Sequence, residues 1–219
     1  MPDLIVNGVE IACEVVRAAI TAPEPKTIYA QIAGRSGDVD LTTALTDGTV
    51  PYDDRDLTLN VIEARADETA AETALRSRLG QWHGQIVTVS LPPDPWRWEG
   101  RCRLTSVLAR GGRLGYTMAV RVGPYRRAAT ETKLQVTAAA SPGKAFTLPA
   151  LPGDAAPVIP SAVVTGGTVT VVVGTAQAAY PAGSWPAIEL LARRPGGPPL
   201  DARLVGSGSM ALAWREGRL

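Results

Sequence analysis

Apolar and polar residues alternate with a period of two through much of the first half of the chain. Between residues 55 and 64, Leu57, Leu59 and Val61 occupy alternate positions. The even positions of two later segments are also apolar: Trp96, Trp98, Cys102 and Leu104, then Leu114, Tyr116, Met118, Val120 and Val122. Because successive side chains of a strand point to opposite faces, this pattern predicts a β-sheet with one covered face.

Further strands are predicted on either side of the first of these segments. Asn7-Gly8 lies between apolar residues and favours a tight turn, so residues 4–15 are predicted to form a hairpin. Residues 26–33, with Ile28, Ala30 and Ile32 on one face, and residues 86–91 have strand composition. Residues 34–56 are predicted to form a long loop.

One helix is predicted, over residues 67–83. Thr69 and Glu72 have the spacing of a capping box at its start. An apolar stripe follows at helical spacing: Ala71, Leu75, Leu79 and Trp82. This spacing places the four side chains on one face of the helix, which gives the helix one apolar stripe.

The composition changes near residue 128, where small, polar and proline residues predominate. We interpret residues 128–160 as a crossing or linker with short extended segments. A second β-unit is expected beyond it, with a hairpin turning at Gly166-Gly167 and strands at residues 187–192 and 210–214. The predicted domains are therefore residues 1–130 and 131–219, in a mainly β (β-rich α+β) protein.

Composition and charge exclude several classes of protein. The 219 residues carry a formal net charge of only +1, which argues against a dedicated nucleic-acid binder. No apolar run is long enough to span a membrane, and the first residues lack the pattern of a secretion signal. Because a protein without a secretion signal usually keeps its thiols reduced, Cys13 and Cys102 are expected to be reduced and buried, although the sequence does not exclude a disulfide.

The residues that could perform chemistry do not form a recognisable catalytic or metal site. The single histidine, His83, lies at the predicted helix end and is expected to cap it. Asp38, Asp40, Asp53, Asp54 and Asp56 do not have EF-hand spacing and are expected at turns and strand edges. Gly34-Arg35-Ser36-Gly37 is a weak anion-loop signal because it does not open a helix. No enzyme activity, metal or cofactor is therefore expected.

Tryptophan and arginine residues offer two further surfaces. Trp96 and Trp98 could stack on a sugar or a base, but they share a strand face with Cys102 and Leu104, which favours packing in a core or interface. Eight arginines lie between residues 97 and 127, and they could contact DNA as an accessory property or be solvated.

The order of several motifs resembles the distal tail protein (Dit) family of long-tailed bacteriophages. The motifs are LIVNGVEI, GRSGDVDLT, YDDRDLTLNV, LGQWHG, WRWEGRC and MAVRVGPYRR, which together cover about residues 1–127. The ending GSMALAWREGRL is also similar to the last strand of that family. The resemblance implies a sandwich-like N-terminal ring domain, followed by a small galectin-like β-sandwich or an oligonucleotide-binding-type barrel.

The resemblance also implies a structural function in the virion. Family members form a hexameric ring that joins the tail tube to the hub and receptor-binding apparatus, next to the tape-measure protein, with DNA passing through the lumen. The ring would assemble in the host cytoplasm, without membrane insertion. In this reading Arg35, Asp38, Asp40, Tyr52, Arg55, Trp96 and Trp98 serve subunit contacts or local structure.

Two other functions stay open at this point. A carbohydrate-binding tail module would use Trp96, Trp98, Trp185 and Trp214 as stacking platforms. A glycan-cleaving enzyme would need two facing carboxylates, which the sequence cannot place.

Overall fold

The protein was analysed as a computed structural model, which describes residues 3–31, 36–42 and 50–219. The chain divides into two compact units, Met1–Arg126 and Arg127–Leu219. The division falls four residues before the predicted domain boundary. Within the described residues, no helix is both long and apolar enough to cross a membrane.

The first unit is a curled antiparallel sheet with one helix. Its elements are β1 (Leu4–Val6), β2 (Val9–Ile11), β3 (Glu14–Ile20), β4 (Tyr29–Gln31), β5 (Asp38–Asp40), β6 (Arg55–Ala64), α1 (Glu68–Trp82), β7 (Ile86–Ser90), β8 (Trp96–Arg110) and β9 (Arg113–Val122). The main sheet has the order β2-β1-β7-β8-β9-β6-β3, and β4 pairs with β5 separately.

The period-two prediction for the first unit is confirmed. The odd positions of β6 and the even positions of β9 are buried, and they face one core together with Ala71 and Trp82 of the helix. The predicted hairpin turn is also present, since Asn7 and Gly8 both have positive φ. In β8 the alternation ends after Leu104, because a register shift follows Thr105.

Three details of the first unit differ from the sequence predictions. The helix is capped by Asp67, whose carboxylate accepts from the Ala70 N–H at 2.8 Å, so Thr69 already lies in the first turn. Leu79 is 38% exposed because Arg78 turns toward the core instead. Of the strand predicted at residues 26–33, residues 32–33 lie outside the described range, and within residues 26–31 the strand covers Tyr29–Gln31. Its partner β5 lies inside the predicted long loop.

The second unit is a β-sandwich, so the barrel alternative is wrong. Its strands are β10 (Arg126–Ala128, which begins in the first unit), β11 (Thr132–Thr137), β12 (Lys144–Leu148), β13 (Ser161–Thr165), β14 (Val169–Val173), β15 (Ala176–Tyr180), β16 (Gly183–Trp185), β17 (Leu200–Gly206), β18 (Ser209–Trp214) and β19 (Gly217–Arg218). Two four-stranded sheets, β11-β18-β13-β16 and β12-β17-β14-β15, enclose one apolar core, and β10 and β19 pair with each other outside these two sheets.

The predicted linker belongs to this sandwich. Strands β11 and β12 lie within residues 128–160, and each is an edge strand of one sheet. Small and polar residues suit an edge strand, which has neighbours on one side only. The composition of this segment therefore reflects its place in the sheet and does not mark a loose connection.

The predicted hairpin at Gly166-Gly167 is wrong. The strands on either side, β13 and β14, lie in opposite sheets, so the glycines carry the chain from one sheet to the other. At Gly167 φ is +138°, and an added Cβ would lie 2.5 Å from the carbonyl oxygen of Ser207. Only glycine allows this close approach of two chain segments.

The strand predicted at residues 187–192 is a 3₁₀ turn, Glu189–Leu191. Ile188 and Leu191 are fully buried. Because residues three apart align on a 3₁₀ turn, this conformation directs both side chains into the sandwich core.

Candidate assembly surface

The described residues that were singled out from the sequence lie in two places in the first unit. Arg55, Trp98, Tyr52 and Trp96 lie near the start of β6 and β8. Asp38 and Asp40 lie on the separate β4–β5 hairpin. Arg35 lies outside the described residues.

Arg55 is a buried structural arginine with 8% of its surface exposed. Its Nε donates to the Thr21 carbonyl at 2.7 Å, and its guanidinium lies 5.1 Å from the centre of the Trp98 ring. Burial, and to a lesser degree the charge of Arg126, lowers the pKa of Arg55. These contacts hold the start of β6 against Thr21 and against β8.

Tyr52 and Trp96 are also engaged within the unit. The rings of Tyr52 and Tyr125 meet edge to face, with centroids 6.3 Å apart. The Arg126 guanidinium lies 5.4 Å from the Trp96 ring and pairs with Asp94 at 3.1 Å. Each aromatic side chain thus has a packing partner, and none of these rings is fully exposed.

Asp40 holds the base of the β4–β5 hairpin. Its carboxylate accepts from the Thr42 backbone N–H at 2.9 Å, and Thr42 Oγ1 accepts from the Ile28 N–H at 2.8 Å. Hydrogen bonds from Thr42, its side chain first, lower the pKa of Asp40. The side chain of Asp38 has no hydrogen bond or ion pair in the described part of the chain, and the residue is exposed.

The other candidate residues have structural roles. His83 ends helix α1 as predicted, and its Nδ1 accepts from the Leu104 N–H at 3.2 Å. Asp53 pairs with Lys26 at 3.0 Å. Cys13 and Cys102 are free thiols, and burial raises the pKa of each to about 11. The described residues contain no group of three metal-ligating side chains.

A buried ionic cluster around Glu63 was not predicted from the sequence. The Glu63 carboxylate is fully buried and accepts from Tyr116 Oη at 2.7 Å, from Arg78 Nε at 3.1 Å, and from Arg65. Burial acts to raise the pKa of Glu63, but the hydrogen bonds from Arg78 and Tyr116 and the nearby charges outweigh it and hold the pKa below its usual range. The sequence did contain a signal for this cluster, because Glu63 continues the buried odd positions of β6 after Val61.

The two tryptophans of the sandwich, Trp185 and Trp214, also pack against other side chains. Trp214 is only 6% exposed and lies under the Arg193 guanidinium, at 4.8 Å. Trp185 packs edge to face with Tyr180, and its Nε1 donates to the Pro181 carbonyl at 3.1 Å. Trp214 therefore cannot serve as the open stacking platform that a carbohydrate-binding module would need.

Comparison with known proteins gives information on the fold. No family profile matches the sequence, and no curated protein matches it. Among solved structures, the Dit protein of phage SPP1 matches with a TM-score of 0.65 at 13% sequence identity. The match covers 98% of both chains, and that protein is described as a paradigm of the hub adsorption apparatus in phages that infect Gram-positive bacteria. The chain therefore has the fold of a phage distal tail protein over nearly its whole length.

Proposed function

We propose that the protein is a structural subunit of a phage tail tip. The observation that carries the proposal is the fold match to SPP1 Dit, which extends over both units with 98% coverage of each chain. A match of one unit alone would fit many β-sheet proteins, whereas two different β-units in the same order are far more specific.

In this function the subunits assemble head to tail into a hexameric ring. The ring joins the tail tube to the hub and its receptor-binding apparatus, contacts the tape-measure protein, and lets DNA pass through its lumen. It forms in the host cytoplasm and remains in the virion. The residues available for chemistry fit a structural function, since Arg55, Tyr52, Trp96 and Trp98 are used to pack the first unit.

Electron microscopy of the purified full-length protein tests this proposal. We expect rings with sixfold symmetry, and a mass in light scattering of six times the 22.9 kDa subunit. A protein that stays monomeric at all concentrations, and that binds glycans as a monomer, would instead support a carbohydrate-binding tail module.

A further inference from the structure

A cleft with an excess of arginine lies on the outer face of the main sheet in the first unit. Its volume is about 570 Å³. Arg101 faces Arg121 across β8 and β9, and Arg103 faces Ala119 on the same two strands. The lining is Asp56, Thr58, His83, Gly84, Arg101, Cys102, Arg103, Ala119 and Arg121, which we call the basic cleft. Because Ala119 is small, the space beside Arg103 stays open.

Within the basic cleft, one guanidinium has no partner among the described residues. Arg121 lies 3.6 Å from the Asp54 carboxylate and 3.8 Å from that of Asp56. Arg101 donates to the Gly84 carbonyl. Arg103 is exposed, and its guanidinium has no hydrogen bond or ion pair with any described residue. In the described part of the chain, the cleft therefore offers one cation without a partner, which lies two residues along β8 from the facing pair Arg101 and Arg121.

In contrast to the basic cleft, the β4–β5 hairpin carries acidic and exposed apolar side chains. It is a two-stranded sheet separate from the main sheet, and an isolated two-stranded sheet is marginally stable in water. Tyr29 is 58% exposed and Ile28 is 37% exposed beside it. Asp38 presents a carboxylate without a described partner. This hairpin, which we call the arm, thus combines uncovered apolar side chains with one free anion.

We propose that the arm of one subunit docks on the next subunit, with Asp38 pairing with Arg103 in the basic cleft. This inference rests on the proposed ring. A head-to-tail ring needs two different surfaces on each copy, and the arm and the cleft are different and complementary in charge. A single carboxylate fits this cleft better than the repeated phosphates of DNA, because among the described residues only Arg103 is without a partner, while Asp54 and Asp56 already lie close to Arg121.

Charge reversal tests the contact directly. Arg103→Glu and Asp38→Arg should each raise the concentration needed for half-maximal assembly by at least about tenfold in sedimentation, since each change places like charges in contact. An equimolar mixture of the two variants should assemble again, because in alternating subunits every arm meets a cleft of opposite charge. Arg110→Glu, at the far end of the same strand, is the matched control and should assemble like the wild type.

The outcomes separate this contact from the ring itself. A wild-type protein that never assembles overturns both proposals. A wild-type ring with an equally competent Arg103→Glu variant overturns the contact alone, and so does a mixture that fails to assemble. If a double variant that carries both Arg103→Glu and Asp38→Arg assembles but the mixture of single variants does not, the arm docks in the cleft of its own chain. That result would also overturn the contact between subunits. Loss of duplex DNA binding on Arg103→Glu, with assembly intact, would assign the cleft to nucleic acid and also overturn the contact.

Discussion

The Nε of Arg78 lies 3.1 Å from the carboxylate of Glu63, so an ion pair connects helix α1 to the centre of the sheet. Glu63 is fully buried, and the Arg78 side chain is 16% exposed. The Arg78 guanidinium also lies 4.5 Å from the Trp82 ring. The pair and the aromatic contact together orient the helix on the sheet, and the first three predictions follow from this part of the molecule.

Glu63→Ala should reduce the free energy of unfolding of the first unit by about 3–5 kcal/mol, because removal of one partner leaves a buried charge uncompensated. Urea denaturation followed by circular dichroism measures this change. Glu72→Ala is the matched control, since its pairing with Arg76 at 3.5 Å is exposed and worth little. Equal losses in the two variants would contradict the assignment.

The pKa of Glu63 also predicts a dependence on pH. A carboxyl whose pKa is lower in the folded state gives stability that is present above its unfolded pKa, about 4.3, and is lost as pH falls through the folded value. The wild type should lose stability below about pH 4, and Glu63→Gln should lose less over the same range. Parallel slopes for the two proteins between about pH 3 and 5 would show that other acids cause the effect.

The helix cap gives a prediction that distinguishes two residues. Asp67→Ala should cost about 1 kcal/mol, because the Ala70 N–H loses its acceptor. Thr69→Ala, at the position that the capping-box pattern favoured, should change stability by less than about 0.5 kcal/mol. The reverse order of these two effects in thermal denaturation would restore Thr69 as the cap.

The parts of the fold that the sequence predicted are those fixed by local patterns. Strands β6 and β9 were predictable because each buries one face along its whole length. Gly166-Gly167 was misread because a glycine pair indicates a turn but not which sheet receives the next strand. Strand partners in the sandwich depend on the packing of distant valines and leucines into one core, which no local pattern encodes.

The candidate site was predictable to a similar extent. Arg55 was expected at the base of the loop, and its position before an apolar strand indicated this. The partners of Arg55, Thr21 and Trp98, come from other strands and could not be inferred from spacing. Glu63 and Arg78 were missed because the two residues lie on different elements, and no spacing in the sequence indicates that their side chains meet.

The chain crosses between the two sandwich sheets at Gly166-Gly167, and this segment should not tolerate a side chain at Gly167. Gly167→Ala should destabilise the second unit by more than about 1 kcal/mol, since its Cβ would clash with the Ser207 carbonyl and its φ is unfavourable for alanine. Gly153→Ala, where an added Cβ meets nothing within 4 Å, is the control. Similar unfolding midpoints for the two variants would show that the segment can move aside.

The last prediction concerns which unit forms the ring. The two apolar cores share no residue: the first includes nothing beyond Val122, and the second begins at Leu134. Each unit therefore has the apolar contacts needed to fold alone, and the arm and the basic cleft both belong to the first unit. We expect a truncated protein of residues 1–126 to fold and to form the same ring as the full chain in electron microscopy, while residues 127–219 fold as a monomer. The cut removes most of β10, so circular dichroism and solubility must first show that the truncated protein is folded. If it is folded and soluble yet makes no ring where the full chain does, the second unit contributes to the assembly surface and this division of roles is wrong.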